Sequence, residues 1–198
     1  MGISTAAVAA NESELIAHAQ RGDRNAFGEL VCIHSQGVRN VIYRMCGDVQ
    51  VAEEAAQETF MQAWLHLSSY RPGTSLRNWL YRIAFNAAMD ILRKEKRIVP
   101  NAIEDLPLTD SHPGPESAFS RSERTAVIQN AILSLPDASR AVLVLREYEE
   151  MSYHEIADTL DIPVGTVMSR LSYARKILKQ KLEQALFTKV EAEYVEAR

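Results

Sequence analysis

Four of the seven prolines in this 198-residue chain fall between positions 99 and 122, and that clustering constrains the fold more than any other feature. Pro100, Pro107, Pro113 and Pro115, with Gly114 among them, interrupt any helix by removing amide donors and fixing the backbone. Glu104, Asp105, Asp110 and Glu116 keep the same stretch polar, so it is read as an interdomain linker rather than as core. On either side the apolar residues recur every three or four positions, the period of a helix with one buried face. A chain of this length accommodates two domains of roughly 50 to 200 residues each. The expectation is an all-α protein in which two small helical domains, 11–98 and 123–187, are joined by a flexible linker at 99–122 and flanked by tails at 1–10 and 188–198. No internal repeat relates the two halves.

In the first half, Asn11 is a candidate N-cap, with Glu14 three residues on and Gly22 as the stop. Phe27, Leu30, Val31, His34, Val38, Val41, Ile42 and Met45 form the stripe of the next helix, which Gly47 ends. Asp48 is placed to cap a third helix, with Ala52, Ala56, Ala63, Trp64 and Leu67 inward and Glu53, Glu54, Gln57, Glu58 and Met61 on other faces. Half of that helix is left for solvent or a partner. After a turn-rich segment at 68–75, a long helix takes Leu76, Trp79, Leu80, Ile83, Ala84, Ala87 and Ile91 into the core. Its other side is expected to carry Asn78, Tyr81, Arg82, Phe85, Asn86, Met89 and Arg93, aromatics beside cations on an outward face.

In the second half, Val127, Ile128, Ala131, Ile132 and Leu135 make one stripe, and Ala141, Val142, Leu145 and Tyr148 another after the Leu135-Pro136 break. Ser152 is placed to cap a short helix holding Ile156, Ala157 and Leu160. The turn Asp161-Ile162-Pro163 then leads to a helix that buries Val167, Leu171, Ala174 and Leu178, which is helix-turn-helix spacing. Ala157 is small enough for a close crossing, Asp161 tolerates a left-handed backbone, and Pro163 suits the first turn of the second helix. Opposite the buried stripe lie Gly165, Ser169, Ser172, Tyr173 and Lys176, with Met168 to one side, facing a major groove. Thr166, Arg170, Arg175 and Lys179 point toward phosphates, which fix register but carry little sequence information.

The formal net charge of −4 argues against a nonspecific nucleic-acid coat, yet the charge is unevenly spread. Arg71, Arg77, Arg82, Arg93, Lys94, Lys96 and Arg97 face only Asp90 and Glu95 between positions 70 and 98. Arg170, Arg175, Lys176, Lys179 and Lys181 have no acid among them between 164 and 182. Two basic blocks far apart in sequence suggest two separate contacts with nucleic acid.

Other classes fit poorly. Cys32 and Cys46 stand apart from any second pair and read as plain reduced thiols, not as a zinc ribbon or disulfide framework. No apolar run approaches the roughly 18 to 20 residues of a membrane span, and the first ten residues lack the basic flank of a signal peptide, so a mobile cytoplasmic tail is expected. A metallohydrolase reading of His154-Glu155 fails because the position four residues after His154 is Asp158. Glu53, Glu54 and Glu58 lack the Glu-x-x-His partner of a carboxylate metal cluster. Neither a catalytic site nor a cofactor is called for.

The run Val164-Gly-Thr-Val-Met-Ser-Arg-Leu-Ser-Tyr-Ala-Arg175, within 152–175, resembles the fourth domain of bacterial sigma factors. Ala52-Glu-Glu-Ala-Ala-Gln-Glu-Thr-Phe-Met-Gln-Ala-Trp64 resembles the helix by which that family grips the clamp of the polymerase largest subunit. Ser75-Leu-Arg-Asn-Trp-Leu-Tyr-Arg-Ile-Ala-Phe-Asn86 is similar to the segment that melts and reads the start-proximal promoter element. The resemblance covers about residues 12–186 in the family's order and leaves no room for the extra domains of housekeeping members, which places the chain with the extracytoplasmic-function group. It implies a sigma domain 2 bundle and a sigma domain 4 helix-turn-helix. As partners it implies core RNA polymerase, through the clamp and the flap region, promoter DNA and an anti-sigma factor, without membrane insertion.

Carried over by position, Glu53, Gln57, Glu58 and Met61 dock on the polymerase. Tyr70, Arg71, Arg82, Phe85 and Asn86 meet the melted −10 strand, where stacking on a ring contributes roughly 1–3 kcal/mol per base. Asn86 is the candidate for a base edge and the loop around Tyr70 for a flipped base, with Trp79 as a core anchor. Thr166, Met168, Ser169, Arg170, Ser172, Tyr173 and Lys176 meet the −35 element. Relatives often carry basic residues where this chain has Met168 and Tyr173, which points to a different upstream sequence. The competing expectation is a ligand-controlled dimeric helix-turn-helix regulator that binds duplex DNA without polymerase.

Overall fold

The computed structural model describes the backbone of residues 5–71, 75–98 and 116–196. Among these there are eight α-helices, one 3-10 turn and no strand: α1 (Thr5–Gln20), α2 (Arg24–Cys46), α3 (Val49–His66), the turn Leu67–Ser69, α4 (Leu76–Ile98), α5 (Glu116–Leu133), α6 (Asp137–Glu147), α7 (Tyr153–Leu160) and α8 (Val164–Glu196). The chain divides into two compact units. The first holds α1 to α3, the 3-10 turn and α4 as far as Ile91; the second holds α5 to α8, with Leu92 onward and Arg44–Gly47.

The helix ends follow local chemistry. Gly22 and Gly47 take left-handed φ values of +94° and +78°, conformations that only glycine adopts without a Cβ penalty. The Asp48 carboxylate accepts from the amides of Gln50 and Val51 at 2.7 and 3.0 Å, which satisfies two orphan donors of α3. Asp23 does the same for α2, accepting from Asn25 and Ala26, a cap the sequence reading passed over. Asn11, by contrast, is not a cap: it lies inside α1, which begins at Thr5 within the expected tail. The alanine-rich start of that helix carries high helix propensity. At the other break, α5 begins at Glu116 rather than after position 122, as soon as the prolines end. After Pro163 no further proline follows, and α8 continues to Glu196, beyond the expected boundary at 187.

The core of the first unit joins Ala19, Ala26, Leu30, Val38, Val41 and Ile42 to Ala52, Ala55, Ala56, Thr59 and Ala63 of α3 and to Leu76, Leu80, Tyr81, Ala84 and Ala88 of α4. Small residues on α3 let the helices approach closely, and the Thr59 hydroxyl donates back to the Ala55 carbonyl at 2.6 Å. The face that α4 buries differs from the expected one. Asn78 and Tyr81, assigned to its outward side, are buried, whereas Trp79, Ile83, Ala87 and Ile91 are only half-buried. Gly37 on α2 explains the change, because a Cβ there would lie 2.6 Å from the Tyr81 hydroxyl oxygen. The missing side chain makes the space that the phenol hydroxyl fills.

In the second unit every residue of α6 from Ser139 to Leu145 is buried. Arg140 is among them; its guanidinium donates to the carbonyls of Leu133 and Leu135 at 2.6 and 2.9 Å and lies 3.4 Å from Asp137. Burial lowers its pKa from the ordinary guanidinium range, while Asp137 acts in the opposite sense. The cation thus closes the orphan carbonyls at the end of α5. Ile132 and Leu135 are buried, but Val127 and Ile128, expected in the same stripe, are exposed.

Candidate nucleic-acid interface

The turn between α7 and α8 is built as its residues dictate. Ser152 accepts from the Glu155 amide while the Glu155 carboxylate accepts from the Ser152 amide, a reciprocal capping box that starts α7. Asp161 ends α7 at φ +54° and ψ +51°, with the Ile162 amide returning to the Ala157 carbonyl. Pro163 stands just before α8 rather than inside its first turn, and its carbonyl receives the amides of Thr166 and Val167. Ile156 and Ala157 pack inward with Val167, Leu171 and Ala174.

That packing turns Met168, Ser169, Ser172, Tyr173 and Lys176 outward, with Met168 at 54% and Tyr173 at 49% exposure. Thr166 and Arg170 are half-buried at the edge of this face, and the Ser169 hydroxyl donates to the Thr166 carbonyl. Arg175, expected to point toward phosphate, is instead held by Glu147 at the end of α6: its Nε and one Nη donate to a single carboxylate oxygen at 3.0 and 2.6 Å. That hydrogen bond is the main reason its pKa is raised. Both groups are about half exposed, so the pair contributes little to stability and a phosphate can compete for the cation.

On α4, Arg82 and Asn86 are exposed and Phe85 is half-buried, one helical turn apart on one face. Arg71 is exposed before α4, donating to the Ser68 and Tyr70 carbonyls at 2.9 and 3.3 Å. Tyr70, whose loop was expected to take a flipped base, is itself only 5% exposed and packs against Trp79 with ring centroids 5.3 Å apart. Burial, and after it the nearby Glu12 carboxylate, raises the phenol's pKa. An aromatic beside a basic run is as compatible with core as with surface, and only packing decides between them.

On α3, Glu53, Gln57 and Met61 are exposed along a row of every fourth residue. Val49 and Leu65 extend that row at both ends and are also exposed, an apolar contribution that sequence reasoning missed. Glu58 is half-buried and accepts from the Gln62 carboxamide at 2.7 Å.

Residues 30–98 match Sigma-70 region 2, and residues 125–178 match Sigma-70, region 4. SigW, an ECF RNA polymerase sigma factor of Bacillus subtilis (strain 168), is 36% identical over 179 residues, spanning 84% of this chain and 94% of its own. The chain belongs to the extracytoplasmic-function sigma factors of the sigma-70 family. Solved relatives share the fold. CnrH, in complex with the cytosolic domain of CnrY, superposes with a TM-score of 0.68 at 25% identity over 88% of this chain and 98% of that one. The sigma factor RpoE of Bartonella quintana, in complex with the anti-sigma factor NepR, gives 0.63 at 24% identity over 79% and 96%.

Sigma factors are non-enzymatic initiation factors that bind core RNA polymerase and direct it to promoters, and this function does not favour the dimeric-regulator alternative. Among the described residues no helix is long and apolar enough to cross a membrane. Cys32 and Cys46 are not joined in a disulfide.

Proposed function

We propose that the two promoter contacts of this sigma factor are divided between its units. Residues 11–98 dock on the clamp through Glu53, Gln57, Glu58 and Met61 and open the start-proximal element with Arg71, Arg82, Phe85 and Asn86. Residues 123–187 read the upstream element with Met168, Ser169, Ser172, Tyr173 and Lys176 against bases, while Thr166 and Arg170 hold the backbone. The segment at 99–122 acts as their tether. Tyr70 is withdrawn from the strand set because its ring is packed inside. The work is done in the cytoplasm and involves no chemistry by the chain itself. An anti-sigma factor that covers both domains holds the chain inactive until a signal arrives.

The observation that supports this division most is the exposed row on α8 between Met168 and Lys176, which presents polar and apolar groups to a groove while cations flank it. Transcription with sigma-free core enzyme on a library of genomic fragments tests it. Selective initiation from a shared two-part promoter is the expected result. Failure to confer selectivity, after any co-purified inhibitor has been removed, would overturn the proposal.

A further inference from the structure

Helix α1 lies outside the segment that matches region 2, which begins at residue 30. Its last residue, Gln20, nevertheless reaches 47 and 50 positions along the chain. The carboxamide nitrogen donates to the carbonyl of Leu67 and to that of Tyr70, each at 3.0 Å. A primary amide has two protons, and this geometry uses both. The two carbonyls bracket the 3-10 turn Leu67–Ser69, whose own closing bond runs from the Tyr70 amide to the Leu67 carbonyl.

Arg71 is tied to the same short stretch through the carbonyls of Ser68 and Tyr70. Gln20 therefore fixes the backbone on which the Arg71 cation is mounted. The donor is itself well anchored. Ala19 beside it is buried, and Glu12 on the same helix is 2.8 Å from the His34 ring nitrogen on α2.

We propose that Gln20 is a positioning residue for promoter opening: by holding the Leu67–Tyr70 turn, whose Tyr70 ring packs on Trp79 of α4, it sets where the Arg71 cation stands, and so tunes how the start-proximal strand is captured. The inference rests on the assignment of Arg71 and α4 to that strand. Docking on polymerase belongs to α3 and upstream recognition to α8, so neither depends on Gln20. A side chain that only stabilised the fold would affect all three activities together.

The test compares holoenzymes carrying wild-type chain, Gln20→Glu or Gln20→Met on promoter pools randomised separately in the start-proximal and upstream elements. Glu is isosteric but sets a carboxylate against two carbonyls, and Met keeps the length without a donor. Two hydrogen bonds of ordinary strength are lost, so start-proximal base discrimination and permanganate-detected opening should fall by about tenfold. Upstream preference and affinity for core enzyme should hold, and the thermal midpoint of the chain should fall by only the several degrees that two lost hydrogen bonds entail.

Equal losses on both pools, or two variants that fail to fold, would reduce Gln20 to a structural role and overturn the proposal. If only Gln20→Glu fails to fold, Gln20→Met decides. A wild-type holoenzyme with no start-proximal preference would instead remove the strand assignment beneath it. A selective wild type matched by both variants would remove Gln20 alone.

Discussion

At the scale of single residues, the molecule turns on a few side chains whose surroundings, more than their type, set their task. Gly37 and Tyr81 form one such pair. Gly37→Ala would ordinarily stabilise a helix by roughly 0.5–1 kcal/mol, but here the added carbon meets a buried phenol oxygen at 2.6 Å. Tyr81 is only 3% exposed, and its ring is rigid. The substitution is therefore expected to destabilise the chain by about 1–3 kcal/mol. In a Tyr81→Phe background, where that oxygen is gone, the penalty should shrink by at least half, as urea unfolding of the four chains of the cycle would reveal. Additive effects would mean that the hydroxyl is not what Gly37 accommodates. Arg175 makes a related point: from its position alone it reads as a phosphate ligand, and only the structure supplies the Glu147 carboxylate that competes for it.

At the scale of elements, α3 and α4 show how far periodicity carries. The Asp48 cap and the inward alanines of α3 were legible, because a cap acts within three residues and a stripe repeats within one helix. The exposure of Val49 and Leu65 was not, since an apolar residue at the edge of a stripe goes inside or outside according to what packs against it. The apolar stripe read for α4 is rotated from the one it buries, because the gap at Gly37 draws Tyr81 inward. The row from Val49 to Leu65 mixes carboxylate, amide and apolar groups, a composition suited to a basic helical partner. Glu53→Lys should lower affinity for core polymerase by about tenfold while leaving helical content unchanged, a loss near the 1.4 kcal/mol that truncated interface residues typically exceed only at hot spots. Titration of labelled core enzyme together with circular dichroism checks both halves. Unchanged affinity would take Glu53 out of the docking set.

At the scale of the whole molecule, the acidic net charge and the two basic blocks together favour binding that is strong only when both contacts are made. Two weak sites joined by a tether reinforce each other when their spacing matches the target, and polymerase supplies that spacing. The isolated chain is thus expected to bind its promoter weakly in a gel shift, with affinity rising at least a hundredfold when core enzyme is added. Tight duplex binding by the chain alone would contradict this. What the amino-acid order determined by itself was the division into two helical halves, the capped helix-turn-helix and the separate basic runs. Each of these depends on residues a few positions apart, through backbone dihedrals, caps and a 3.6-residue period. Packing alone decided that Tyr70 lies inside, that Gln20 holds a turn fifty residues away and that Arg175 meets Glu147. Such pairings join segments whose meeting is set by how helices fill space against one another, and no local pattern encodes that.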